Sequence, residues 1–308
     1  MDFKIGDDIE DINDNSSTKR KGILPVIIVI IIAIIIGVLV FLISNALFGQ
    51  KEPVETPIVD TQLDTNDTTV QILYKSVTYG TRNYRNDIFI KTDSVNLSSF
   101  TNEEKYFYAL QFVQQTDFEE TGETDETTKQ KIYILSNDKV KGYMQRFFGP
   151  QVTYNTDEKI THVFRFKLGD KNKAEMTYSE EFDGFKTVFT EKVDFIDNKE
   201  IVKPYYKVLE SATRKADTSL VLIEKVIYTK VEKKDDGTYN IKISSDPQSN
   251  NLLEDINDSE ENIKSRNIDI LDYSEKTAHV TYTFKVNNNS YYFDNSTLET
   301  NTTSTINN

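Results

Sequence analysis

The sequence predicts an α+β protein: an N-terminal transmembrane helix, then an extracytoplasmic domain built on a curved antiparallel sheet with one or two helices packed against it. Three observations carry this. An uncharged apolar run extends from Ile23 to Phe48. Beyond residue 160, short segments alternate strictly between apolar and polar residues and are parted by Asp-Gly or Asn-rich turns. Between these regions lie two stretches with helical spacing and helix-start signals.

The apolar run, ILPVIIVIIIAIIIGVLVFLISNALF, has 26 residues. As a helix it would extend roughly 39 Å, enough for a hydrocarbon core of about 30 Å. A helix satisfies its own backbone groups, as a lipid interior requires. Lys19, Arg20 and Lys21 abut its N-terminal end, whereas Lys51 beyond the span is offset by Glu52. That bias keeps the N-terminus cytoplasmic. Ser44 and Ala46 have the spacing of a signal-peptidase site. The apolar stretch, however, far exceeds a signal-peptide core of about 7–15 residues, so a signal anchor fits better.

Residues 1–22 carry six carboxylates against Lys4, Lys19, Arg20 and Lys21 and read as a disordered cytoplasmic tail. Residues 49–70, with Pro53 and Pro57 among Thr, Asp and Glu, read as a linker. The extracytoplasmic domain is then 71–297, with two subdomains parting near residue 200 as a second reading. Residues 298–308, rich in Asn and Thr, read as a disordered tail.

Within the domain, Thr101 and Glu104 form a capping-box pattern ahead of Tyr106, Phe107, Leu110 and Val113, which share one helical face. A second helix begins at Asn137 as its cap, buries Val140, Tyr143, Met144 and Phe147, and stops at Gly149-Pro150. Between the helices, Asp117, Glu119, Glu120, Glu123, Asp125 and Glu126 crowd together. A cation site is one reading. The spacing lacks the EF-hand pattern, so a solvated loop is preferred.

The strand region opens with His162, Phe164, Phe166 and Leu168 on one face, then Ala174, Met176 and Tyr178, then Phe185, Thr187 and Phe189. Leu220 to Val231 is a long apolar strand, reversed by Lys234-Asp235-Asp236-Gly237 into Tyr239, Ile241 and Ile243. The last hairpin places Val280, Tyr282, Phe284 and Val286 inward and turns through Asn287–Ser290 into Tyr291, Tyr292 and Phe293. The nearest architecture is a roll of the NTF2-like or cystatin-like kind.

Composition limits the chemistry. The chain of 308 residues has 50 Asp+Glu against 36 Lys+Arg, a net charge of −14 and a pI near 4.8. Such a surface does not suit nucleic-acid phosphates. Cys is 0, His 2 and Trp 0, which argues against thiolate or multi-His metal centres and Cys nucleophiles. No G-x-G-x-x-G, P-loop, G-x-S-x-G or H-E-x-x-H motif occurs. His162 and His279 both fall in strands, where an ordinary structural role outweighs a general-base pair. The catalytic, cofactor and metal residues are therefore read as none.

The segments PYYKVLESATRKADTSLVLIEKVIYTKV (204–231) and YTFKVNNNSYYFDNSTLE (282–299), with Asn137–Pro150 ending in FFGP, resemble uncharacterised single-pass membrane-anchored proteins of low-GC Gram-positive bacteria. Many of those carry Cys between these parts; this chain has none. The resemblance implies an envelope location and no established activity. The function expected is a non-enzymatic binding or scaffold protein of the bacterial envelope. It would be held in the bilayer through Ile23 to Phe48 and engage a protein partner outside. The alternatives are a regulator signalling through the acidic tail and a carboxylate-dependent envelope hydrolase.

Overall fold

A computed structural model describes residues 59–78, 88–194, 202–273 and 275–300. The apolar run Ile23–Phe48, the tail 1–22, linker residues 49–58 and residues 301–308 lie outside these. Among the described residues, no helix is long and apolar enough to cross a membrane.

Ile58–Asn308 forms one compact unit, and it is α+β with antiparallel sheets and few helices. In chain order its elements are β1 (Thr61–Leu63), α1 (Thr68–Val77), α2 (Ile88–Lys91), β2 (Ser94–Asn96), α3 (Asn102–Leu110), β3 (Phe118–Thr124), β4 (Lys131–Ser136), α4 (Asn137–Phe148), β5 (Ile160–Leu168), β6 (Lys171–Ser179), β7 (Gly184–Glu191), β8 (Tyr205–Arg214), β9 (Leu220–Lys233), β10 (Tyr239–Ser244), β11 (Leu252–Asp258), α5 (Glu260–Ser265), β12 (Ala278–Asn287) and β13 (Ser290–Glu299).

Two sheets replace the single sheet expected. The smaller runs β3-β4-β7-β6-β5. The larger runs β1-β8-β9-β12-β13-β2, with β10 and β11 continuing from β9. Tyr228 on β9 pairs with both Tyr205 and Ser244, so β10 follows β12 along one edge of this 14-residue strand. Alternation reveals that a strand has an inner face but not which strand it pairs with, which is why the sequence did not separate the sheets. The chain passes from the larger sheet to the smaller between Asn96 and Phe118 and returns between Glu191 and Tyr205. One core nonetheless serves both: Phe164, Met176 and Phe185 of the smaller sheet belong to the same cluster as Leu222, Tyr282 and Phe284 of the larger and Tyr108 and Phe147 of the helices. A second core gathers Ile227, Ile241, Ile243, Ile256 and Ile263 around β9–β11 and α5.

Several local expectations hold. The Thr101 hydroxyl accepts from the Glu104 N–H and the Glu104 carboxylate accepts from the Thr101 N–H, closing the capping box. Gly149 takes φ +80° after α4. Gly237 takes φ +84° in the β9–β10 turn, and Asn288 and Asn289 take φ 47° and 63° in the β12–β13 turn.

Others need correction. The linker reading of 49–70 fails over its second half. Thr61–Leu63 pairs with β8, and Asp67 caps α1 by accepting from Thr69 N (2.8 Å) and Val70 N (3.2 Å). The Thr- and Asp-rich composition hid a helix whose apolar face, Val70, Leu73 and Val77, is only three residues wide. Leu298 and Glu299, read as tail, pair with Val280 and His279. The cap of α4 is Ser136, which accepts from Lys139 N, and not Asn137. Much of the acidic stretch is strand β3 and not a loop, since β4 offers a pairing edge to Phe118–Glu120 and Thr124. In the β6–β7 connection the left-handed residue is Asp183 at φ 41°. Gly184 is needed for another reason: a Cβ there would lie 2.9 Å from the Leu135 carbonyl oxygen. Val286 is 38% exposed because it sits near the open tip of its hairpin.

Candidate functional site

The described residues enclose a groove of about 600 Å³ between α1, α4 and the β12–β13 hairpin. Volumes of this order are typical of ligand sites. Ile72 and Leu73 supply one wall, Gln145, Arg146 and Phe147 another, and Phe284, Tyr292 and Phe293 the hairpin side, with Phe112 after α3. Asn287, Asn289 and Ser290 form part of the polar rim. Ile72 is 50% exposed, a large apolar side chain left open to solvent at the groove.

A buried polar cluster fixes the α1 wall. Glu224 lies mid-strand on β9 with no solvent exposure. Tyr282 on β12 donates to its Oε2 at 2.7 Å, and Tyr74 on α1 donates to its Oε1. Lys207 on β8, whose side chain is 13% exposed, places Nζ 3.3 Å from Oε1. Burial, and then the neighbouring Glu224 charge, push both tyrosine hydroxyls well above the ordinary tyrosine range, so they remain donors. A carboxylate buried with a cation and two donors is held by its partners. Tyr74 thereby ties α1 to the sheet.

The α4 wall is fixed by Asp117, one of the clustered acidic residues. Its side chain is 6% exposed and accepts from Lys139 Nζ (2.7 Å), Tyr143 OH (2.5 Å) and Gln114 N (2.7 Å). Burial alone would raise its pKa, but these donors together hold it below 3.8. Tyr143 is raised to about 12, by burial first and then by the Asp117 bond. Its ring stacks on Phe112, centroids 6.5 Å apart, and the Arg146 guanidinium lies 4.3 Å from the Phe112 centroid. Because the folded-state pKa of Asp117 is depressed, its stabilisation is complete above the unfolded value near 3.8 and is lost as pH falls through the lower folded value. Asp117→Asn should therefore cost about 1–3 kcal/mol at neutral pH, the scale of hydrogen bonds to a charged group. Thermal melts across pH should show the two proteins converging below about pH 3.8.

The hairpin wall rests on Gly149. A Cβ at Gly149 would lie 2.5 Å from the Tyr292 ring, and φ is +80°. Gly149→Ala should destabilise the fold by about 1–3 kcal/mol through overpacking and displace the Tyr292 ring that lines the groove. Denaturant unfolding and the Tyr292 ring resonances would report both effects.

The histidines are not brought into one site. The His162 ring, on β5 of the smaller sheet, packs against Phe164 of the same strand (4.6 Å) and Phe107 of α3 (6.1 Å). His279 is in the larger sheet, with Nε2 3.4 Å from Glu210 Oε2. The remaining acidic residues of the 117–126 stretch have structural partners in part: Glu120 pairs with Lys131 at 2.7 Å, and Asp125 accepts from Thr128 N at 2.7 Å. Among the described residues, no group of His, Asp and Glu is arranged to hold a metal ion. Sequence reasoning missed the groove because its residues come from four separate segments. It also missed Glu224, although that residue falls on the inward face of β9 with Leu220, Leu222 and Val226. Comparison with protein-family models, curated proteins and solved structures finds no match.

Proposed function

We propose that the chain is a non-enzymatic binding or scaffold protein of the bacterial cell envelope, anchored through Ile23–Phe48 with the compact unit outside. The groove carries this reading. It has an aromatic floor and an exposed apolar wall, its structural supports are fixed, and no carboxylate is among its lining residues. The anchor rests on the 26 uncharged residues and the cations on their N-terminal side. The resemblance to membrane-anchored proteins of low-GC Gram-positive bacteria agrees with that location. We read the larger sheet with α4 as a roll of the NTF2-like or cystatin-like kind, an architecture that carries no function by itself. The partner on this reading is a protein of the envelope.

Protease added to intact spheroplasts tests the placement. It should digest the compact unit and spare an epitope placed in residues 1–22. Protection of the unit would overturn the proposal. Deleting residues 2–18 should leave partner capture unchanged; loss of capture would favour signalling through the tail instead.

A further inference from the structure

On the reading that the compact unit binds an envelope protein, we infer that the groove between α1, α4 and the β12–β13 hairpin receives a peptide segment of that partner. The segment seats an apolar side chain against Phe147 and Phe293 and places a carboxylate on Arg146.

Charge selects the carboxylate. Arg146 is the single charged side chain among the groove's lining residues. It is held over the Phe112 ring at 4.3 Å, and among the described residues no carboxylate lies within ion-pair distance of it. The chain as a whole carries 50 carboxylates against 36 cations, so a cation set at an apolar groove inverts the prevailing charge. Stacking on an aromatic ring leaves the guanidinium edge free to donate, and that edge matches a carboxylate in a bidentate manner.

The rim selects a peptide. Its polar side chains include three carboxamides, Gln145, Asn287 and Asn289. Each presents one acceptor and two donors, the complement of a peptide group. The floor selects the side chain: Phe147 and Phe293 lie stacked with centroids 5.8 Å apart, and the half-exposed Ile72 offers further apolar area opposite. The supports of all three walls (Tyr74 on Glu224, Tyr143 on Asp117 and Gly149 against Tyr292) leave the groove formed before a ligand arrives. Preorganisation of this kind lowers the entropic cost of binding.

The test uses the full chain in lipid nanodiscs with isoleucine methyl groups labelled, titrated with acetyl-Leu-Phe as the free acid. The Ile72 methyl resonance should shift while those of Ile241 and Ile243, in the second core, stay in place as a check on folding. The free acid should bind about three- to five-fold more tightly than acetyl-Leu-Phe-amide, the scale of one exposed ion pair. Arg146→Gln should erase that difference without weakening the amide. 3-Phenylpropionate, which has the ring and carboxylate but no peptide group, should bind more weakly than the dipeptide. Equal affinity of acid and amide, or no shift at Ile72, would overturn the assignment of the groove. Equal or better binding of 3-phenylpropionate would overturn its peptide character. None of these results touches the membrane placement, which the protease experiment decides separately.

Discussion

Replacing Phe284 by alanine should lower the unfolding free energy of the compact unit Ile58–Asn308 by about 3–5 kcal/mol, the usual cost of emptying a buried Phe site. Phe284 is buried mid-strand on β12, pairs across the hairpin with Phe293 and belongs to the core shared by both sheets. It also lines the groove, so the cavity would open directly beneath the proposed ligand. Thr283, one residue away on the opposite face and partly exposed, should cost about 0.5 kcal/mol or less when changed to alanine. Urea unfolding of both variants is a direct comparison. Equal midpoints would mean that the alternation along β12 does not describe its burial.

The second large effect is expected at Glu224. Glu224→Ala removes the acceptor shared by Tyr74 and Tyr282 and the counter-charge of Lys207. Two buried hydroxyls and a largely buried ammonium would lose their partner, at a cost of about 3–5 kcal/mol. Glu224→Gln keeps a carbonyl acceptor and should cost less. Tyr74→Phe should lose about 1.5–3 kcal/mol, as for a hydrogen bond to a charged group. Its more telling consequence is local: amide exchange in Thr68–Val77 should accelerate more than in β12, because Tyr74 is the polar tie between α1 and the sheet. Uniform acceleration across the unit would show that Glu224 supports the core as a whole and does not act as a latch for one wall of the groove.

The sequence exposed the parts of this structure that depend on neighbours along the chain. The period-two runs gave β5, β6, β7, β10 and β12, the long apolar run gave β9, and Thr101–Glu104 gave the start of α3, because strand patterning and capping are local physics. The β12–β13 turn was legible because consecutive Asn residues accept positive φ. What depends on distant partners was not legible. Asp117 and Glu120 looked like members of one acidic cluster until Lys139, Tyr143 and Lys131 were placed beside them. α1 was concealed because Asp67 reads equally as a linker residue or a cap, and tertiary burial of Val70 and Leu73 decides between them. The groove brings together residues some two hundred positions apart, and no spacing rule reaches that far. Glu224 was missed although its signal is local: a charged residue on the inward face of an apolar strand marks a buried polar network.

The central claim is that the groove is the face by which an anchored protein meets its partner outside the membrane. Site-specific photocrosslinking in intact cells tests it most directly. A photoreactive residue at Ile72, at the groove, should give a discrete adduct that is lost on external protease treatment and reduced by Arg146→Gln. The same residue at Leu271, which is 63% exposed and outside the groove, should not give that adduct. The same adduct from both positions, or none from Ile72, would contradict the claim.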